Sequence, residues 1–476
     1  MDKLLITIKR YIPKKVFSLL WPLYHFFLGV VANIIYRWPS EKLIVIGVTG
    51  TTGKTTTTYL IAKMLQDAGY KVGYTSTAMF SDGNNEWLNN KKMTMVGRLF
   101  THKMLRQMVE NGCHYAVIET SSEGIVQYRH RFINYDMVLF TCLYPEHIEA
   151  HGSFENYKEA KGMLFAHLKN GKTKYADENL KIRKPKSGLQ KTELKRIKKT
   201  IIVNGDDEAA PYFLDFWAEQ KWVYRLAEIG KPKPVFNSEV QEIVASISKV
   251  EGRSFLTFKQ GEVAVNMLGS FNRKNMLAAI SVGLAQDIAF EKLKIGLEKI
   301  QGVAGRLERI EAGQPFTVLV DYAFEPQAVS KLYETVDSLP HQRIIHVLGS
   351  AGGGRDKSRR AVLGEIAGRK ADIVIITDED PYDENPGAII AEVSAGAEQT
   401  SKRLNSDLFT FLDRREAIRK AFAQAQPGDI VLITGKGSEQ AICRARGTKE
   451  PWDDRRVSRE ELEALGYLAV DKLSPT

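Results

Sequence analysis

Gly53-Lys54-Thr55 follows an apolar run, Val45 to Val48, and precedes a stretch, Tyr59 to Ala68, that reads as a helix. A glycine-rich turn between a buried strand and a helix N-terminus aims backbone N–H groups at a polyphosphate. Within Gly50-Thr51-Thr52-Gly53-Lys54-Thr55-Thr56, Lys54 would neutralise the outer phosphates and the Thr55 hydroxyl would ligate Mg²⁺. The strict phosphate-loop pattern places a glycine at position 48, which is Val48 here, so Gly50 must supply the turn. An ordinary glycine-rich strand–helix turn is the plainer alternative, and the Gly-Lys-Thr context favours the nucleotide. Glu119 ends a second apolar run, Tyr115 to Glu119. A carboxylate at the carboxyl end of a parallel strand beside a phosphate loop suits a Mg²⁺ ligand or a water-holding role, against the alternative of a solvated strand end. His147 follows the run Met137 to Thr141 closely enough to reach the same cleft.

These residues need strands and helices in alternation, and the chain supplies them. Short apolar runs bounded by polar turns read as buried parallel strands. Tyr157 to Leu168 and Asn275 to Ala285 read as helices, Ile201 to Asn204 as a strand, and Glu239 to Leu268 as antiparallel strands on one flank. Beyond Gly302–Arg306 a second series begins: Thr317–Val320, Arg343–Leu348, Asp372–Thr377 and Asp429–Thr434, with helical segments between them. The expected architecture is α/β: a central domain of mainly parallel sheet over 42–303 and a C-terminal doubly wound, Rossmann-like domain over 304–476. Two such domains would hold ligands in the cleft between them.

The chain has 476 residues, 43% hydrophobic and 26% charged, with a formal net charge of +10. These are the proportions of a globular protein with more than one core. Lys169 to Lys199 is rich in Lys and Arg. Without interleaved aromatics for base stacking it reads as a solvated surface insertion, and no nucleic-acid partner is expected. The three cysteines, Cys113, Cys142 and Cys443, form no metal or disulfide pattern and suit a reducing cytoplasm. Near the N-terminus, Val16 to Tyr36 is free of acidic and basic residues and is flanked by Lys14-Lys15 and Arg37. It is long enough to span a bilayer, carries Trp21, Tyr24 and Tyr36, and is interrupted by Pro22, His25 and Asn33. The segment 1–41 is therefore read as an apolar helical piece that either contacts the inner face of the membrane or docks on the protein itself.

The phosphate loop resembles the ATP loop of the Mur ligases, and Glu119-Thr-Ser-Ser-Glu-Gly-Ile-Val-Gln-Tyr-Arg129 is similar to a segment of the MurE type. The match continues through Glu146-His147, Tyr157 to Phe165, Phe271-Asn272, Gly305-Arg306, Asp321-Tyr322-Ala323, Gly354 to Lys357, Asp378 to Pro386, Gly435-Lys436-Gly437 and Asp453 to Arg455, in the family's order. The resemblance implies an ATP- and Mg²⁺-dependent amide ligase acting through an acyl phosphate. It would join an amino acid to a muropeptide acceptor in peptidoglycan precursor synthesis. It implies Lys54, Glu119, His147 and Lys161 as catalytic residues. The metal would lie on Thr55, Glu119, His147 and, once carbamylated, Lys161. Asn272, Arg306 and Asp321 would contact the nucleotide; Thr94, Ser121, Gln127 and Arg129 would hold the acceptor; Arg355, Asp380, Gly435 and Glu439 would frame the incoming amino acid.

The chain also departs from the family. An N-terminal domain of roughly a hundred residues, an ordinary small-domain size, holds uridine diphosphate in the relatives, whereas residues 1–41 here are short and apolar. A shortened or membrane-bound acceptor, or rebuilt UDP contacts, would accommodate this. Tyr382 replaces the arginine of the diaminopimelate signature, so L-lysine or another amino acid is the better expectation. Cys142, Glu146, Phe324 and Ser438 stand where the family has Asn, Asp, His and His. Two other readings remain: a ligase acting on another carboxylate, as in folylpolyglutamate synthetases, and a membrane-attached nucleotide-binding scaffold without turnover.

Overall fold

The computed structural model describes residues 14–146, 148–183, 194–227, 236–251 and 253–467, with side chains from residue 24 onward except 148 and 149. The chain divides into two compact units. The first comprises residues 1–87, 93–266 and 273–300, and the second 88–92, 267–272 and 301–476.

Among the described residues before 265, fourteen strands are found: β1 (Ile44–Thr49), β2 (Val72–Thr75), β3 (Met79–Ser81), β4 (Glu86–Leu88), β5 (Tyr115–Glu119), β6 (Met137–Phe140), β7 (Lys174–Ala176), β8 (Ile182–Arg183), β9 (Lys195–Ile197), β10 (Thr200–Asn204), β11 (Gln220–Leu226), β12 (Val240–Val250), β13 (Arg253–Phe258) and β14 (Gly261–Ala264). Eleven of them make one sheet, ordered β14-β13-β12-β11-β10-β6-β1-β5-β2-β3-β4. Every residue of β1 is buried, as expected of a central parallel strand covered on both faces. Burying an Ile or Val side chain there contributes roughly 1.5–3 kcal/mol. The register sets the site: β1 pairs in parallel with β5, Val48 opposite Glu119, and with β6, Thr49 opposite Phe140. The phosphate-loop strand and the strand ending in Glu119 therefore finish side by side. The strands read from alternation on one flank are β12, β13 and β14, and both of their pairings are antiparallel.

The basic stretch 169–199 differs from expectation in its described parts. β7, β8 and β9 form a small antiparallel sheet. Lys174 and Lys199, both buried, donate to Asp136 at 2.5 and 2.9 Å. The same Asp136 accepts from Val45 N at 2.9 Å, anchoring the start of β1. Two lysines of an apparently solvated run are thus core residues, because a long stem buries well once its ammonium has a carboxylate partner.

Helix α1 (Lys14–Ile35) exposes several apolar side chains among its described residues. His25, Ala32 and Asn33 are buried, while Phe26, Phe27, Ile34 and Ile35, with Trp38 beyond, are exposed. It packs on helix α2 (Arg98–Glu110) and stacks Phe26 edge-on against Phe132 at 5.1 Å. A side chain at Gly29 would lie 2.6 Å from the Phe132 ring, so glycine permits this close approach. Among the described residues no helix is long and apolar enough to cross a membrane.

The second unit holds β15 (Glu308–Ile310), β16 (Thr317–Val320), β17 (Ile344–Leu348), β18 (Ile373–Thr377), β19 (Leu408–Phe411) and β20 (Ile430–Ile433), ordered β15-β16-β20-β17-β18-β19. Within this six-stranded sheet all pairings are parallel except β15 with β16. Two apolar clusters, one on each face of this sheet, centre on Leu319, Val374 and Leu432 and on Val347, Ile375 and Val431. The alternation of side chains along each strand produces that division.

Candidate active site

The turn after β1 is strained as a phosphate cradle requires. Gly50 has φ +151° and Gly53 φ +78°, and Gly53 caps the helix Lys54–Asp67. A Cβ at Gly50 would sit 1.9 Å from Thr141 Oγ1, and one at Gly53 would sit 2.6 Å from Asn275 Oδ1, so both positions need glycine for backbone angle and for space. The loop is braced from outside. Thr51 N donates to Cys142 O at 2.8 Å, Thr141 Oγ1 to Thr52 O at 2.6 Å, and Tyr157 Oη to Thr51 Oγ1 at 3.1 Å. Lys54 Nζ turns back over the loop, donating to Gly50 O at 3.1 Å and Thr51 O at 2.7 Å. Thr56 is buried in the first turn of the helix.

Thr55 Oγ1 lies 3.0 Å from each oxygen of Glu119. Glu119 also accepts from Thr77 N at 2.7 Å and Thr77 Oγ1 at 2.9 Å, and Thr77 Oγ1 approaches Thr94 Oγ1 at 3.0 Å. Next to Thr94, Met95 O accepts from the Arg129 guanidinium, whose other end donates to Gln127 Oε1 at 2.6 Å. Ser121 caps the short helix Ser122–Val126, accepting from Gly124 N at 3.2 Å. Lys161 comes from the helix Phe154–Leu168, with Nζ 2.8 Å from Gly50 O and 4.3 Å from the Tyr157 ring centroid. Complete burial, and then the charge of Lys54, hold its ammonium well below the usual lysine range. His147 lies outside the described residues.

In the second unit, Asp380 accepts from Lys92 Nζ at 2.7 Å, Lys436 Nζ at 2.8 Å and Cys443 N at 2.6 Å. Glu439 closes the cluster against Lys436 at 2.6 Å and Lys92 at 3.0 Å. Gly435 has φ +103°, and a side chain there would strike Glu379 Oε2 at 2.4 Å. Arg355 lies on the exposed turn following Gly352. Arg306 stacks over Tyr322 at 4.3 Å, and Asp321 accepts from Leu307 N and Ala323 N, each at 2.7 Å. Burial raises the Asp321 carboxyl although Arg306 opposes it. Asn272 donates to Leu268 O at 2.6 Å.

The Mur ligase middle domain model matches residues 48–186, and the Mur ligase glutamate ligase domain model matches 305–437. A UDP-N-acetylmuramyl-tripeptide synthetase of Roseiflexus sp. (strain RS-1) is 37% identical over 448 residues, covering 92% of this chain and 82% of its own. This chain belongs to the Mur ligase family. Members of the family are ATP-dependent ligases, and the fold agrees. A solved UDP-N-acetylmuramoyl-L-alanyl-D-glutamate–2,6-diaminopimelate ligase superposes with TM-score 0.55 at 26% identity, covering 89% of this chain and 79% of its own. A folylpolyglutamate synthase of Mycobacterium tuberculosis, solved with ADP and AMPPCP, superposes with TM-score 0.60 at 15% identity, covering 86% and 92%; at that identity the likeness is one of fold.

Within the first unit of this Mur ligase, one hydrogen-bonded chain runs from Thr55 through Glu119 and Thr77 to Thr94. Within the second, Asp380 and Glu439 share one cluster with Lys92 and Lys436. Sequence reasoning missed Thr77, which bridges Glu119 and Thr94, and Lys92, which neutralises Asp380. Neither carries a motif: Thr77 lies just past β2, and Lys92 in a loop remote in sequence from Asp380. Phe324 packs against Tyr322 at 5.1 Å beneath Arg359, filling with an apolar ring a place where the family has histidine.

Proposed function

We propose that this Mur ligase forms an amide bond between an amino acid and the carboxylate of a muropeptide acceptor, at the expense of ATP, in cytoplasmic peptidoglycan precursor synthesis. A carboxylate is a poor electrophile. Its oxygen attacks the γ-phosphorus of ATP, ADP leaves, and an acyl phosphate results. The amine of the second substrate then attacks the acyl carbon, loses a proton, and expels phosphate from the tetrahedral intermediate. The protein contributes positioning and charge neutralisation.

Residues 42–303 carry the ATP phosphates and the acceptor in this reading, and 304–476 the incoming amino acid. Gly50, Thr51, Thr52, Gly53, Lys54, Thr55 and Thr56 hold the phosphates; Asn272, Arg306 and Asp321 hold the rest of the nucleotide. Thr94, Ser121, Gln127 and Arg129 serve the acceptor, and Arg355, Asp380, Gly435 and Glu439 the amino acid. The Thr55 hydroxyl and the Glu119 carboxylate, already 3.0 Å apart, are hard oxygen donors of the kind Mg²⁺ takes. With His147 they would hold that ion, which supplies charge stabilisation for the transferring phosphoryl group. Lys161 fits carbamylation, since burial favours its neutral, nucleophilic amine and its Nζ already touches the phosphate loop. Tyr382 in place of arginine favours an amino acid other than diaminopimelate. Helix α1, with Phe27, Ile34, Ile35 and Trp38 outward, would lie on the inner membrane face.

The observation that carries the reading is the Glu119 carboxylate held between Thr55 of the phosphate loop and Thr77 of the Thr94 side. ADP release measured with UDP-N-acetylmuramoyl-L-alanyl-D-glutamate and a panel of amino acids tests it. Release dependent on both substrates is expected. Release with folate and glutamate instead, or no release with any pair, would overturn it.

A further inference from the structure

Arg98 opens helix α2 and keeps only 6% of its surface exposed. Its stem is covered by α1: a Cβ at Gly29 would lie 3.7 Å from Arg98 Cδ. Its head is a different matter, for Nε and Nη2 are buried and have no hydrogen-bond partner among the described residues. Two other arginines show how this chain buries a guanidinium for structural purposes. Arg414 grips Asp454 at 2.7 and 2.8 Å and donates to Thr434 O at 2.7 Å. Arg360 pairs with Glu384 and Glu392, both at 3.0 Å. Arg98 has no such partner among the described residues, and the charge that acts on it most is a second cation, Arg129.

Two guanidinium groups close enough to act on each other while partly dehydrated repel. Burial and then Arg129 bring Arg98 down to about 10, and burial lowers Arg129 as well, with Glu123 the opposing charge. A buried cation without a counter-charge is costly, by an amount that an arriving anion would recover. The two neighbouring histidines add no negative charge. His102 is buried, with Nδ1 2.9 Å from Arg98 O, and His130 is held to about 3, hence neutral. Gly97, before Arg98, has open space where a side chain would stand, and its position as N-cap gives the first turn of α2 no side-chain cap.

We propose that Arg98 joins Arg129 in receiving an oxyanion of the acceptor, a carboxylate or a phosphate, beneath helix α1. The assignment rests on reading Arg129 as an acceptor residue and adds a second positive group to it. It makes Arg98 a binding residue whose charge is satisfied only in the loaded protein.

Calorimetric binding to the whole chain tests it without turnover, with UDP-N-acetylmuramoyl-L-alanyl-D-glutamate and with L-alanyl-D-glutamate as probes. Arg98→Met should weaken the UDP-linked probe by roughly 10- to 100-fold. An equal loss with the dipeptide assigns the anion as a carboxylate, and a loss confined to the UDP-linked probe assigns it as a phosphate. The ligand-free R98M protein should melt a few degrees higher, because an unpaired buried charge has gone. A lower melting temperature would make Arg98 structural and overturn the proposal, as would unchanged affinity for both probes in a variant that melts higher. Failure of the unsubstituted protein to bind either probe would instead remove the acceptor reading itself, and this proposal with it.

Discussion

Thr55 Oγ1 stands 3.0 Å from both carboxylate oxygens of Glu119, across two strands whose register pairs Val48 with Glu119. The strand pairing brings the end of β5 beside the loop, and the turn through Gly50 and Gly53 carries Thr55 onto its carboxylate. Glu119→Gln keeps an acceptor for Thr55 and Thr77 but removes the charge. Expected is a fall in kcat on the order of 10²- to 10³-fold with little change in melting temperature. Steady-state ADP release and a thermal melt of the same preparation check it. A variant that keeps its rate would show that the carboxylate does not serve the phosphoryl transfer.

Lys161 is buried with its amine against Gly50 O, and Lys54 is the cation acting on it. A permanently charged lysine there would oppose both Lys54 and a bound metal, whereas a carbamate would not. Lys161→Ala is expected to lose roughly 100-fold or more in kcat. With ¹³C-bicarbonate, the unsubstituted protein should show a carbamate carbonyl resonance that K161A lacks. Absence of that resonance from both proteins removes the modification from the account.

How much of this was legible beforehand depends on whether a residue's role is local. Gly53, Lys54 and Thr55 act through the turn they occupy, so their spacing reveals them. Glu119 is legible because a strand end beside a phosphate loop is a recurrent place for an acid. Four strands of the second unit, β16, β17, β18 and β20, show as apolar runs, whereas β15 and β19, at the edges of the sheet, do not. Thr77, Lys92 and Arg98 owe their roles to partners distant in the sequence, which composition and period do not encode. Lys174 and Lys199 misled for the same reason: their counter-charge, Asp136, lies on another segment.

Lys92 and Lys436 together balance Asp380 and Glu439 in a cluster with little exposure. Lys92→Met leaves two buried carboxylates with one cation. The expected cost is roughly 3 kcal/mol of stability, together with a raised KM for the incoming amino acid and an unchanged KM for ATP. Denaturant unfolding and separate substrate titrations read the two effects. Equal rises in both KM values would place Lys92 outside amino-acid recognition.

Glu379 is buried against Gly435, and burial, reinforced by Asp380, raises its carboxyl from 4.5 to about 7. The folded protein therefore holds a proton there between about pH 4.5 and 7 that the unfolded chain has released. The resulting stability is fully present below 4.5 and is lost as the pH rises through 7. Its full size is about 3 kcal/mol. His346, buried and lowered to about 3, works the other way, favouring the fold above 6.5 and losing that contribution on acidification. The net pH profile mixes the two, but a comparison with Glu379→Gln isolates one, since both proteins keep His346. At pH 5 the two should melt at nearly the same temperature, both carrying a neutral side chain. At pH 8 the glutamine variant should be the more stable, because only the parent must bury a charge. A difference that is constant between pH 5 and 8 would mean that Glu379 ionises in the fold as freely as in the open chain.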